Sequence, residues 1–160
     1  MAIDNPTDKV VELTIDSLTI ELQPKQLTWV EMGTGTHKIT LPSDSTFDYT
    51  FSDNTYFLNA MCTEYLERKE YYGNPPEYIL NGDAFEKKDT TNYIGFALPG
   101  SFTVYKDIVT AVSWDVFPRE DFPESVEMEA GINSYTVMKK IYDPYEFYEL
   151  VSKASSASQE

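Results

Sequence analysis

Covalent catalysis, proton transfer and zinc binding draw on a short list of side chains, and this chain holds few of them. It has one histidine, His37, and one cysteine, Cys62. A serine or cysteine nucleophile needs an imidazole within hydrogen-bond reach. His37 lies in an alternating stretch beside Lys38, where the pattern turns it outward as an exposed strand residue. Cys62 lies among apolar neighbours in Phe57-Leu58-Asn59-Ala60-Met61 and reads as a small buried hydrophobe. It has no intrachain disulfide partner. Two such residues cannot complete a zinc site. The chain has seven glycines. The nearest to a phosphate loop, Gly33-Thr34-Gly35, joins two strand patterns rather than opening a helix. The expectation is a protein without catalytic residues, cofactor or metal.

Carboxylates are the abundant reactive groups. There are 27 acidic residues against 12 basic ones, for a net charge of −15 and a pI near 4.3. With so many acids some pair is inevitable, so a glycosidase reading of Asp115, Glu120, Asp121 and Glu124 carries little weight against a solvated loop. A structural cation could use Asp4-Asn5-Pro6-Thr7-Asp8 or Asp44-Ser45 with Asp48, but neither matches a calcium loop. Asp and Asn capping their own turns is the simpler reading. The acidic excess runs through the whole chain rather than a tail. It argues against nucleic acid and against anionic membranes, which attract Lys and Arg. It favours a basic partner, or solubility alone.

The binding chemistry on offer is aromatic and acidic together. Tyr71, Tyr72 and Tyr78 flank Asn74-Pro75-Pro76. Phe117 and Phe122 share a loop with Glu120, Asp121 and Glu124, and residues 115–129 carry six acids and one base. Tyr145 and Tyr148 fall in the last helical pattern. Aromatics anchor protein interfaces and charge steers the encounter. These ten residues form the expected interface. The first functional reading is a non-enzymatic scaffold or adaptor acting through another protein. The second is a small acidic inhibitor or immunity protein blocking a basic enzyme. The third is a carbohydrate-binding module using exposed aromatic rings.

The elements that must position these residues are mostly strands. Alternation runs over Lys9–Ile15, Leu18–Leu22, Leu27–Met32, Thr36–Leu41 and Thr46–Phe51, with turn residues between. Tyr56–Tyr72 fits a long or bent strand better than a helix. Glu77–Leu80 and Asp83–Lys87 flank Asn81-Gly82, a hairpin signal. Further strands are expected over Tyr93–Leu98, Phe102–Tyr105 and Ile108–Phe117, with Ser125–Glu129 and Ser134–Tyr142 as a second hairpin. Asp143 is an N-cap, with Pro144 at the first helical position and Glu146 placed for a capping box. The expected fold is mainly β, an antiparallel sandwich of about nine to eleven short strands with one short C-terminal helix. It is read as one domain over 1–153, with a subdivision near 52–54 as the alternative, and a flexible polar tail over 154–160.

Asn5-Pro6-Thr7, Val11–Asp16, Leu22-Gln23-Pro24 and Gly35–Leu41 resemble the small bacterial β-sandwich modules of the PEGA type. The likeness covers residues 5–51 and implies a sandwich with a binding or scaffolding role. The Pro-Glu-Gly-Ala signature is absent, and Ser17 stands where a glycine is usual. No apolar run reaches the length of a membrane span, and the first residues lack the pattern of an export signal. The expected location is cytoplasmic, or outside the cell after removal of such a signal. Open sheet edges also allow a homo-oligomer.

Overall fold

The computed structural model describes residues 1–76, 90–99, 102–127 and 134–157. Their contacts divide the chain into two compact units, Met1–Thr63 with Lys106–Ser113, and Glu64–Tyr105 with Trp114–Glu160. The protein is mainly β, with thirteen strands and one helix among the described residues. The strand count exceeds the nine to eleven expected, because Tyr56–Tyr72 and Tyr93–Leu98 each divide into two strands and Ala2–Asn5 adds one that no alternation in the sequence shows.

The first unit is a sandwich of two four-stranded sheets. One sheet has β3 (Leu18–Leu22), β2 (Val11–Ile15), β5 (Gly35–Thr40) and β6 (Thr46–Phe51) in that order. The other has β12 (Val109–Ala111), β7 (Tyr56–Asn59), β1 (Ala2–Asn5) and β4 (Gln26–Trp29). Leu13, Ile15, Leu22, Ile39 and Phe51 from the first sheet share one core with Ile3 and Leu58 from the second. Alternation works here as the residue types demand: Thr14, Thr19, Thr40 and Thr46 lie in register across the opposite face of the first sheet. Asp16 and Ser17 close the β2–β3 hairpin, with Asp16 at φ 55. All pairs are antiparallel except β1 with β7.

The second unit holds β8 (Tyr65–Gly73) between β11 (Thr103–Tyr105) and β13 (Tyr135–Tyr142). A hairpin of β9 (Thr90–Tyr93) and β10 (Phe96–Pro99) and the helix α1 (Pro144–Ala157) complete it. Leu66, Tyr93, Tyr142 and Phe147 form its core.

Several expectations change. Tyr56–Tyr72 is extended, as its composition favours, but it is two strands separated by a turn. Cys62 sits in that turn at φ 52 and is exposed, not buried. The long strand expected over Ile108–Phe117 is paired only at Val109–Ala111. Its chain then leaves for the second unit, where Val116 bridges Lys140 in parallel. A period-two pattern cannot tell one strand from two extended pieces that serve different cores. β13 pairs with β8, antiparallel over its full length; of the hairpin expected with Ser125–Glu129, residues 125–127 are not in a strand and residues 128–133 lie outside the described residues. The helix runs on through residues 154–157, where a flexible tail was expected: Ala154 and Ala157 are strong helix formers and no Gly or Pro intervenes. The Asn81-Gly82 hairpin lies outside the described residues.

Tyr93–Leu98, expected as one strand, is a hairpin turning at Ile94-Gly95. Both residues have positive φ, 42° and 88°, as a type I′ turn requires. A β-branched residue is the last type expected there, and Ile94 is partly exposed at 37%. Ile94→Asn should therefore stabilise the protein, by about 0.5–1 kcal/mol, measured as a raised denaturant midpoint at unchanged slope.

Candidate interaction surface

The second unit gathers most of the expected interface. Glu120, Asp121 and Glu124 are exposed on the segment that follows β12. That segment is fixed to the sheet at several points. The Asp115 and Val116 amides donate to the Lys139 carbonyl at 2.9 and 3.1 Å, and Lys139 N–H donates to Asp115 Oδ2 at 2.8 Å. The Tyr72 hydroxyl donates to the Pro123 carbonyl at 2.7 Å. The Arg68 guanidinium lies over the Phe122 ring, 5.9 Å from its centroid. Tyr72 and Arg68 both come from β8, so this strand is the floor on which the acidic loop rests. Phe122, Tyr71 and Tyr72 are half-buried.

Not every expected residue is surface. Phe117 is buried against Trp114, with ring centroids 6.1 Å apart. It belongs to packing, and Glu120 serves it in part, since Glu120 Oε2 accepts the Phe117 amide at 2.9 Å. Tyr78 lies outside the described residues. Tyr145 and Tyr148 are exposed on α1, Tyr148 at 59%. Leu150 of the same helix joins Leu66, Arg68, Leu98, Phe102, Tyr142 and Phe147 around an apolar cavity of about 240 Å³.

A charged node that the sequence did not disclose holds the loop to the helix. Asp143 Oδ1 accepts the Tyr145 and Glu146 amides at 2.8 and 3.0 Å, the N-cap expected of it. Its Oδ2 pairs with Arg119 Nη1. Glu146 does not turn back as in a capping box. Its Oε2 accepts the Arg119 amide at 3.0 Å and its Oε1 pairs with Lys140 Nζ. Lys140 Nζ also donates to the Glu120 carbonyl and lies 4.5 Å from the centre of the Tyr142 ring. Lys140 and Asp143 are buried. Burial raises the Glu146 carboxyl above its ordinary value, and Lys140 and the Arg119 amide only partly offset this. Glu67 is a second buried acid, accepting the Tyr105 hydroxyl at 2.8 Å and the Trp114 indole N–H at 3.0 Å. Burial, then the bond to Glu67, raises the Tyr105 hydroxyl. The only sequence signal for Lys140 is Tyr142 two residues on, which places a ring on the same face of a strand.

In the first unit His37 is half-buried rather than exposed, and both ring nitrogens are engaged. Nδ1 lies 2.7 Å from Asp16 Oδ2 and Nε2 lies 3.1 Å from the Gly33 carbonyl. The Lys38 amide, then His37, holds the Asp16 carboxyl below its ordinary range. Both Asp-rich turns have local partners of their own: Asn5 Oδ1 accepts the Thr7 amide and hydroxyl at 3.1 and 2.7 Å, and the Asp44 amide donates to the Leu41 carbonyl at 2.9 Å. Among the described residues no group of three or more His, Cys, Asp or Glu could hold a metal, and no helix is long and apolar enough to cross a membrane.

The chain matches no known protein family, curated protein or solved structure. The resemblance of residues 5–51 to PEGA-type modules thus rests on those residues alone. What remains for function is the geometry above.

Proposed function

We propose that this protein is a non-enzymatic binder of another protein, and that the acidic loop on β8 is the contact surface. The observation that carries the reading is the anchoring of residues 120–124. Tyr72 holds Pro123 and Arg68 covers Phe122, while Asp121 and Glu124 stay in solvent. A loop fixed this way presents its charges without first losing entropy on binding. Half-buried aromatics beside exposed acids match the make-up of protein interfaces, and the charge selects a basic partner. Both ring nitrogens of His37 are engaged, so the chain's one imidazole is not free to act as a general base.

The test is capture from source lysate on immobilised wild-type protein and on Asp121→Lys/Glu124→Lys, at low and high salt. The reading expects a basic protein held by the wild type, largely released as salt screens the charges and held poorly by the double variant. Equal capture by both forms would place the contact elsewhere. Measurable turnover of any substrate would end the non-enzymatic reading.

A further inference from the structure

The first unit contains a fork in its sheet that the reading above does not use. β2 pairs with β3 along its whole length, from Val11↔Leu22 to Ile15↔Leu18. With β5 it pairs only at Thr14↔Thr40 and Ile15↔Ile39. The cause is in the sequence. Continuing that register would set Glu12 opposite Pro42, which has no N–H to give to a ladder. Past Leu41 the chain turns away: the Leu41 amide donates to the Ser45 carbonyl at 2.8 Å, and Asp44 adopts φ 63. The backbone of Val11–Leu13 therefore has a strand on one side only. On its other side a groove of about 470 Å³ opens. Thr14 and Thr40 close one end, Val10 and Glu12 line one wall, and Pro42 and Asp44 line the other.

The groove carries a definite chemistry. Glu12 and Asp44 are exposed, and among the described residues neither has an ion pair. Glu12 also stands directly opposite Glu21 on β3, and facing like charges destabilise a strand pair. Val10 is 49% exposed at the rim. An unpaired length of strand, two acids and an apolar rim ask for one kind of occupant. We propose that the fork is a strand-addition site for an extended basic segment of another protein, with Lys or Arg at alternate positions. About three residues, or roughly 10 Å of strand, would pair with Val11–Leu13. A basic side chain set opposite Glu12 would stand about 5 Å away across the new pair and relieve the repulsion from Glu21. A second copy of this chain, at −15, is the wrong charge for the site.

The test uses the full chain and a labelled peptide, acetyl-Thr-Lys-Val-Lys-Thr-amide, followed by fluorescence anisotropy and by amide chemical shifts at low salt. Binding should shift the Val10–Thr14 amides. Glu12→Gln and Asp44→Asn, which keep volume and turn geometry, should each weaken it about two- to fivefold. Methylating the peptide nitrogens on one alternate set should abolish binding, while methylating the other set leaves it intact, because only one set faces β2. Asp121→Lys/Glu124→Lys, in the other unit, should leave it unchanged, so this site and the acidic loop stand or fall separately. Three results would overturn the proposal: no binding, equal binding of both methylated peptides (charge attraction alone), or shifts confined to the second unit. Concentration-dependent self-association lost in Glu12→Gln would replace the basic segment with a second copy.

Discussion

Replacing Lys140 with methionine is expected to destabilise the protein by about 3–5 kcal/mol at neutral pH, the cost of leaving a buried charge without its partner. Lys140 is 3% exposed and serves three groups at once: the Glu146 carboxylate, the Glu120 carbonyl and the Tyr142 ring. Methionine keeps the length of the stem but none of these contacts. The loss should depend on pH in a known direction. Burial already holds the Glu146 carboxyl above its ordinary 4.5, so the folded state binds that proton more tightly than the unfolded chain. The stability due to this shift is fully present below pH 4.5 and is lost as pH rises through the folded value. Without Lys140 the folded value climbs further. The gap between wild type and variant should therefore narrow as pH falls toward 4.5, because a neutral Glu146 no longer needs a cation. Denaturant unfolding at a series of pH values measures this. Lys140→Met/Glu146→Gln should recover a large part of the loss, since glutamine carries no charge and still offers an oxygen to the Arg119 amide. A pH-independent loss, or no recovery in the double variant, would mean that Lys140 acts through packing alone.

The same node marks where sequence reading stops. Asp143 is legible as an N-cap because a cap depends on residue type and position relative to a local helix start. Glu146 is legible only in part. Its spacing from Asp143 fits a capping box, and nothing nearby in sequence says that Lys140 and Arg119 will reach it first. Such pairings come from tertiary contact between a strand, a loop and a helix end. The outward set of the first sheet was readable for the opposite reason, because period-two alternation is a local consequence of the pleat. The Ile94-Gly95 turn is not legible, since isoleucine argues for a strand and hairpin pairing overrides its preference. Of the interface residues, the acids could be assigned to solvent from composition. Phe117 could not be told from Phe122, as both are phenylalanines in one loop and only packing against Trp114 separates them.

β1 leaves no mark in the sequence at all, yet it is an inner strand of its sheet. Ala2-Ile3-Asp4-Asn5 has no alternation, since all four residues are buried. A strand enclosed on both faces and paired on both edges has no solvent side to print a period on the sequence, and two polar residues disguise it further. Asn5 is tolerable there because its side-chain amide donates to the Lys9, Leu22 and Gln23 carbonyls at 2.8, 3.1 and 3.0 Å. Ile3 is fully buried between β4 and β7 and packs in the core shared by both sheets. Ile3→Ala should cost about 2–5 kcal/mol, the transfer loss plus the cavity that a central strand cannot close. Leu18→Ala, at a side chain 59% exposed on the edge strand β3, should change stability by no more than about 0.5 kcal/mol. Denaturant unfolding of both variants gives the comparison. If Ile3→Ala proved as mild as Leu18→Ala, the N-terminal segment would not be the central strand of its sheet, and the sandwich would have to hold without it.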